Sequence, residues 1–191
     1  MVLKFIQNLQ SRHKLETKSR EFEMQEPNHL NHNQKMFKLP IVLATWFGIG
    51  YLPKAPGTWG SLAALPFAWL IVTVGGQSVL FVSILIIFVL GWWASDVYIQ
   101  REGLEDPGPV VIDEVVGQWV TLSVVTPDLL IYGLGFLVFR IFDIFKPWPI
   151  GLADRRIHGG FGVMIDDVLA GIYAAASLYI VTKLMAGAIA I

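Results

Sequence analysis

Cysteine is absent from the 191 residues. That excludes a disulfide framework, a thiolate metal site and a cysteine nucleophile. Charge is scarce as well: Asp, Glu, Lys and Arg make up 15% of the chain, against roughly 25% in an ordinary soluble domain. Neither sign dominates, since the formal net charge is -1. The basic imbalance of a nucleic-acid-binding protein is therefore missing. The opening residues MVLKFIQNLQSRHKLETKSREFE lack a long apolar stretch and a small-residue cleavage site, so they do not read as a secretory signal. What the chain has instead is apolar surface. Hydrophobic residues are 54% and the mean hydropathy is +0.58, the composition of a membrane protein or of an unusually apolar helical one.

Composition changes at Pro40. Residues 1–39 are polar and of mixed charge, and read as an N-terminal arm, flexible or amphipathic. His29 and His32 lie in it, read as solvated side chains because no further metal ligand is nearby. Residues 40–191 read as one helical domain. Its apolar runs, 62–74, 79–94, 115–125, 129–142 and 168–184, alternate with polar loops. Some fall short of the roughly 20 residues that a straight span requires. If every run crosses a membrane, the loops at 46–61, 96–114 and 143–167 share one side. Of the basic residues after the arm, Lys54, Arg101, Arg140, Lys146, Arg155 and Arg156 lie on that side and Lys183 alone on the other. This is the positive-inside pattern. The expected fold class is all-α: a multi-helix integral membrane bundle with polar catalytic loops on the cytoplasmic face. A water-soluble helical domain, with the runs as core helices, is the competing reading.

Four polar blocks fall on the same face. In FGIGYLPKAPGTWGSLAALP, residues 47–66, Gly57 and Thr58 immediately before a helix offer free N–H groups to a phosphate, and Lys54 adds a point charge. The GK[ST] ending of a nucleotide-binding P-loop is missing. In DPGPVVIDEVVGQW, residues 106–119, Asp113 and Glu114 sit in an apolar frame and suit a helix N-terminus. In FRIFDIFKPWPI, residues 139–150, Arg140, Asp143 and Lys146 fall along one helical face, which Pro147 and Pro149 then terminate. ADRRIHGGFGVMIDDVLAG, residues 153–171, supplies Asp154, Arg155, Arg156, His158, a glycine-rich turn and then Asp166 and Asp167. One aspartate suffices to cap a helix; the second needs another reason.

Five carboxylates on one face would repel one another and resist ionisation. A hard divalent cation removes the conflict, and Mg²⁺ pairs naturally with oxygen ligands and substrate phosphate. Asp113, Glu114, Asp143, Asp166 and Asp167 are the expected metal ligands and catalytic carboxylates. Lys54, Thr58, Lys146, Arg155 and Arg156 are the expected phosphate-binding set. Together they point to phosphoryl chemistry on a lipid headgroup. The D-x-D element of aspartyl-phosphate enzymes is absent, as are GxSxG and HExxH.

GIGYLPKAPGTWGSLAALP, DPGPVVIDEVVGQW, FRIFDIFKPWPI and HGGFGVMIDDVLAG, in this order, closely resemble the phosphatidylglycerophosphatase A family, from about Trp46 to Leu184. The resemblance implies an all-helical bacterial Mg²⁺-dependent phosphatase at the cytoplasmic face of the inner membrane. Its substrate would be phosphatidylglycerophosphate, its products phosphatidylglycerol and inorganic phosphate, and its other partner the lipid bilayer. The family's acidic motif positions fall on Asp113, Glu114, Asp143, Asp166 and Asp167. The residues themselves suggest that one free carboxylate acts as general base and His158 as the acid for the leaving alkoxide. Two other readings stay open. Membrane carboxylates also mark ion-binding and transport proteins, and a soluble phosphatase domain could act on a small phosphomonoester.

Overall fold

The computed structural model describes residues 38–104 and 107–189. The arm lies outside the described residues apart from its last two positions, and His29 and His32 lie outside them entirely. The apolar runs form helices, and among the described residues there is no strand. Residues 38–44 are helical. A 3-10 turn at Ile49–Tyr51 then leads into α1, Pro56–Glu102. After it come α2, Ile112–Leu122, α3, Leu129–Phe145, α4, Ile150–Arg156, and α5, Gly159–Ile189.

α1 joins two of the expected runs. Pro56 stands at its start, where a missing N–H costs nothing. Gly76 interrupts it with φ 79 and ψ 177, a conformation open to glycine because there is no Cβ to clash. The arms 56–75 and 77–102 fold back on each other there. Both reach the same neighbours, since Gly60 packs on Val111 and Gly91 on Ile112. At the opposite end from Gly76, the hydroxyls of Tyr51 and Tyr98 come within 3.4 Å. Gln77 donates to the Val125 carbonyl, so the GGQ and TPD turns share an end, as the pattern of loops requires.

α2 is the centre of the bundle. Of its 11 residues, Ile112, Val115, Val116, Gly117, Gln118, Trp119, Thr121 and Leu122 are buried. Trp119 Nε1 donates to the Ala64 carbonyl at 2.9 Å and ties α2 to the first arm of α1. At 1.5 Å per residue the helix is only about 16 Å long, half the hydrocarbon thickness of roughly 30 Å. The 115–125 run is thus an enclosed helix rather than a lipid-facing crossing, which corrects a topology in which every run spans alike.

The outside of the bundle is apolar. α1 and the Gly159–Met185 part of α5 are long and apolar enough to cross a membrane, and only 11% and 28% of their most apolar windows are buried inside the protein. Leu70, Val74, Phe81, Leu85, Val89, Ile180 and Leu184 stand exposed along them. A soluble core helix would bury such residues; a contiguous apolar exterior of this size marks association with a membrane.

Candidate active site

Two acidic pairs meet because two glycines let their helices touch. Asp113 and Gly117 lie four residues apart on α2, and Asp167 and Gly171 four apart on α5; residues at that spacing share a helix face. A Cβ at Gly117 would lie 2.6 Å from the Asp167 carbonyl oxygen, and one at Gly171 2.5 Å from the Gly117 carbonyl oxygen. With no side chain at either position the backbones make contact, as small residues allow between membrane helices. One turn away, the carboxylates converge: oxygens of Asp113, Glu114 and Asp167 lie within 4.8 Å of one another. Gly57, in the first turn of α1, completes the approach, since a Cβ there would overlap Glu114 Oε1.

Around them is a cavity of about 450 Å³ at one end of the bundle. It is lined by Asp113, Glu114, Asp143, Asp154, Asp166 and Asp167, with Lys146, His158 and Gly57. Two cations divide the acids. Arg140 pairs with Asp143 three residues on and reaches Glu114 Oε1 at 3.9 Å. Lys146 stands in the left-handed region, φ 41, just past α3. This turns its Nζ away from Asp143, its expected neighbour, toward Asp154 at 2.5 Å and Asp166 at 2.6 Å. Asp113, Glu114 and Asp167 are left in closest mutual contact.

The electrostatics follow from that division. Burial, then the Glu114 charge beside it, pushes the Asp113 carboxyl well above the usual carboxylate range. Burial raises Glu114 too, against the lowering pull of hydrogen bonding to Asp113 and of the Arg140 charge. Burial alone would lower Lys146, but its bonds to Asp154 and Asp166 prevail and hold it above the ordinary lysine range. Asp113 Oδ1, Glu114 Oε2, Asp166 Oδ1 and Asp167 Oδ2 are buried with no hydrogen-bond donor. Buried carboxylate oxygens of Asp113, Glu114 and Asp167, within 4.8 Å of one another and without a donor, fit a hard divalent cation once ionised. Asp113, Glu114 and Asp167 are the residues that would hold it.

The sequence-predicted residues separate into two groups. All five carboxylates, Lys146 and His158 line the cavity. Lys54 and Thr58 do not, although Gly57 does; α1 begins at Pro56, so Thr58 lies within its first turn rather than ahead of it. Arg155 lines a neighbouring smaller cavity, and Arg156 is exposed and lines neither. The capping account of the last acidic pair is corrected. α5 starts at Gly159, so HGGFG is mostly helix, and Asp166 and Asp167 lie about two turns inside it. Two residues outside the expected site set take part: Asp154 shares Lys146, and Arg140, on the helical face it shares with Asp143, clamps Glu114 and Asp143.

Fold and site together define a class: an all-helical, membrane-associated protein with a carboxylate-rich cavity at one end of the bundle. The chain belongs to the phosphatidylglycerophosphatase A family, whose pattern it matches over residues 42–182, and is an enzyme of the phosphatase type. It is 39% identical over 171 residues to phosphatidylglycerophosphatase A of Escherichia coli, covering 89% of this chain and 91% of that one. Against phosphatidylglycerophosphatase A of Haemophilus influenzae the identity is 39% over 135 residues, covering 70% and 82%. A Bacteroides thetaiotaomicron protein provisionally named a phosphatidylinositol-3-phosphatase is 40% identical over 149 residues, covering 71% and 89%. No solved structure matches the chain. The ion-transport alternative finds no support in these likenesses.

Proposed function

We propose that this protein hydrolyses phosphatidylglycerophosphate to phosphatidylglycerol and inorganic phosphate. The observation that carries the reading is the single cavity in which carboxylates from α2, α3 and α5 surround a cationic wall, in a chain of this family. Asp113, Glu114 and Asp167 would hold Mg²⁺, and Asp143 and Asp166 are oriented by Arg140 and Lys146. A cation held there would neutralise charge on the phosphoryl oxygens and make a water at the site easier to deprotonate. In the net reaction a water oxygen bonds to phosphorus, the bond from phosphorus to the glycerol oxygen breaks, and the proton leaves water for that alkoxide. A carboxylate of the cavity takes the proton from water. His158, exposed on the cavity wall, returns one to the leaving oxygen. Lys146, fixed between two carboxylates, turns a donor toward the charge that grows on the phosphate.

The cavity opens on the cytoplasmic side of a bacterial inner membrane that the chain crosses several times. Support for this comes from the basic residues Lys54, Arg101, Arg140, Lys146, Arg155 and Arg156, which all belong to the segments at the cavity end. The test is phosphate release from phosphatidylglycerophosphate by purified protein, in Mg²⁺ and in EDTA, beside Asp167→Asn. Release that needs Mg²⁺ and is lost in the variant upholds the reading. Folded protein that releases none, or a variant as active as the parent, overturns it.

A further inference from the structure

Beside the acidic cavity lies a second one of about 230 Å³, lined by Lys146, Trp148, Gly151, Leu152 and Arg155. The two share Lys146 as a wall. Their chemistry is opposite. The first is ringed by carboxylates; the second has no acid in its lining. The Lys146 charge is already matched by Asp154 and Asp166. Arg155 has no carboxylate within 4.0 Å among the described residues, where every ion pair lies elsewhere. The small cavity therefore carries a surplus positive charge that nothing in its lining answers. Trp148, in its lining, is 78% exposed, as is Phe145 at the end of α3, three residues earlier in the chain. Exposed aromatic side chains in a segment with lysine and arginine are the make-up of a membrane interface. The second cavity thus adjoins the acidic site across Lys146 and carries an exposed tryptophan suited to a lipid surface.

A lipid phosphomonoester whose headgroup contains a phosphodiester has two phosphates to place. The two phosphorus atoms are joined through a glycerol by about six single bonds, roughly 6–7 Å end to end. One cannot enter a site ringed by carboxylates without a cation, and the cavity across Lys146 offers the other a cationic place one side chain away. Resting on the function proposed above, we infer that the second cavity is a phosphodiester subsite. Arg155 holds the diester phosphate there while the terminal phosphate occupies the acidic cavity, with Lys146 between them. Arginine suits the role because its planar fork can donate two parallel bonds to phosphate oxygens. The same chemistry would also draw a free phosphate, so the test separates the two.

The experiment measures phosphate release from phosphatidylglycerophosphate in mixed micelles, with two inhibitors. Phosphatidylglycerol retains the diester and lacks the terminal phosphate; inorganic phosphate is the reverse. Diacylglycerol, with neither, is the micelle control. Arg155→Ala raises KM for the lipid substrate about tenfold and weakens phosphatidylglycerol inhibition by a similar factor, the size expected for a lost bond to a charged group. Its inhibition by inorganic phosphate stays at the parent value, and Arg155→Lys recovers part of the loss. Lys183→Ala, which removes the same charge far along α5, changes neither inhibition. If Arg155→Ala leaves both inhibitions unchanged, or weakens both equally, the subsite is overturned and the function stands. Absence of release by the parent protein overturns the functional reading and the subsite with it.

Discussion

Adding one methyl group at Gly117 should cost more activity than stability. A Cβ there lies 2.6 Å from the Asp167 carbonyl oxygen and 2.6 and 2.7 Å from two ring atoms of Phe139. The first is backbone, and no rotamer change moves it away. To bring that approach out to an ordinary contact of 3.4 Å, α2 and α5 must part by about 0.8 Å. Overpacking of this kind costs roughly 1–3 kcal/mol of folding stability. The same shift separates Asp113 and Glu114 from Asp167, one turn away, and a displacement near 1 Å in a catalytic constellation costs about 10²-fold. Gly117→Ala is therefore expected to lower kcat about 10²-fold at saturating Mg²⁺, with an unfolding midpoint only several degrees lower. Gly133→Ala is the control: a Cβ there meets nothing within 4 Å, and alanine in a helix is favoured by up to about 1 kcal/mol. It should keep full activity. Phosphate release and thermal unfolding in the same detergent read both quantities. A Gly117→Ala protein with parental kcat would refute the claim that backbone contact at this crossing sets the carboxylate geometry.

Two further predictions concern the metal-free protein and the start of α5. Asp113 and Glu114 are both raised above their ordinary values. In EDTA the folded state thus keeps protons that the unfolded chain has released above about pH 4, and stability falls as pH rises through that window toward neutrality. Mg²⁺ needs the ionised form, so its stabilising effect grows with pH. Thermal midpoints from pH 5 to 8 with EDTA and with Mg²⁺ should diverge as pH rises, and a flat EDTA profile would contradict the burial argument. Asp96 of α1 accepts a hydrogen bond from Gly160 N at 2.6 Å and so caps α5 from a neighbouring helix. Asp96→Ala should cost about 1 kcal/mol, as the loss of a helix cap does. Activity should be largely kept, because the carboxylates of α5 lie two turns further in; a loss of 10²-fold would mean that this bond positions the site itself.

What was legible in the sequence depended on whether its cause was local. Asp113 and Glu114 announce a first helical turn, and they occupy it. Arg140 and Asp143, three apart, announce an ion pair, and they form it. The punctuation of loops placed the acidic blocks at one end because a chain that turns at GGQ and TPD has few other ways to return. The misreadings came from tertiary context. Composition cannot separate a helix wrapped by protein from one wrapped by lipid, since both are apolar on all sides; hence α2 reads as a crossing. The Asp166–Asp167 pair reads as a helix start because charge is costly inside an apolar helix. Yet α5 runs back to Gly159, its start capped by Asp96, a residue distant in sequence. Helical spacing puts Lys146 on the face of Asp143, but the left-handed turn ahead of Pro147 points it at Asp166 instead. One readable signal was missed. DEVVG at 113–117 and DVLAG at 167–171 repeat the spacing Asp-x-x-x-Gly. That spacing puts a carboxylate one turn from a residue able to touch another backbone. In the structure the two helices cross at these glycines and the aspartates meet beside the crossing.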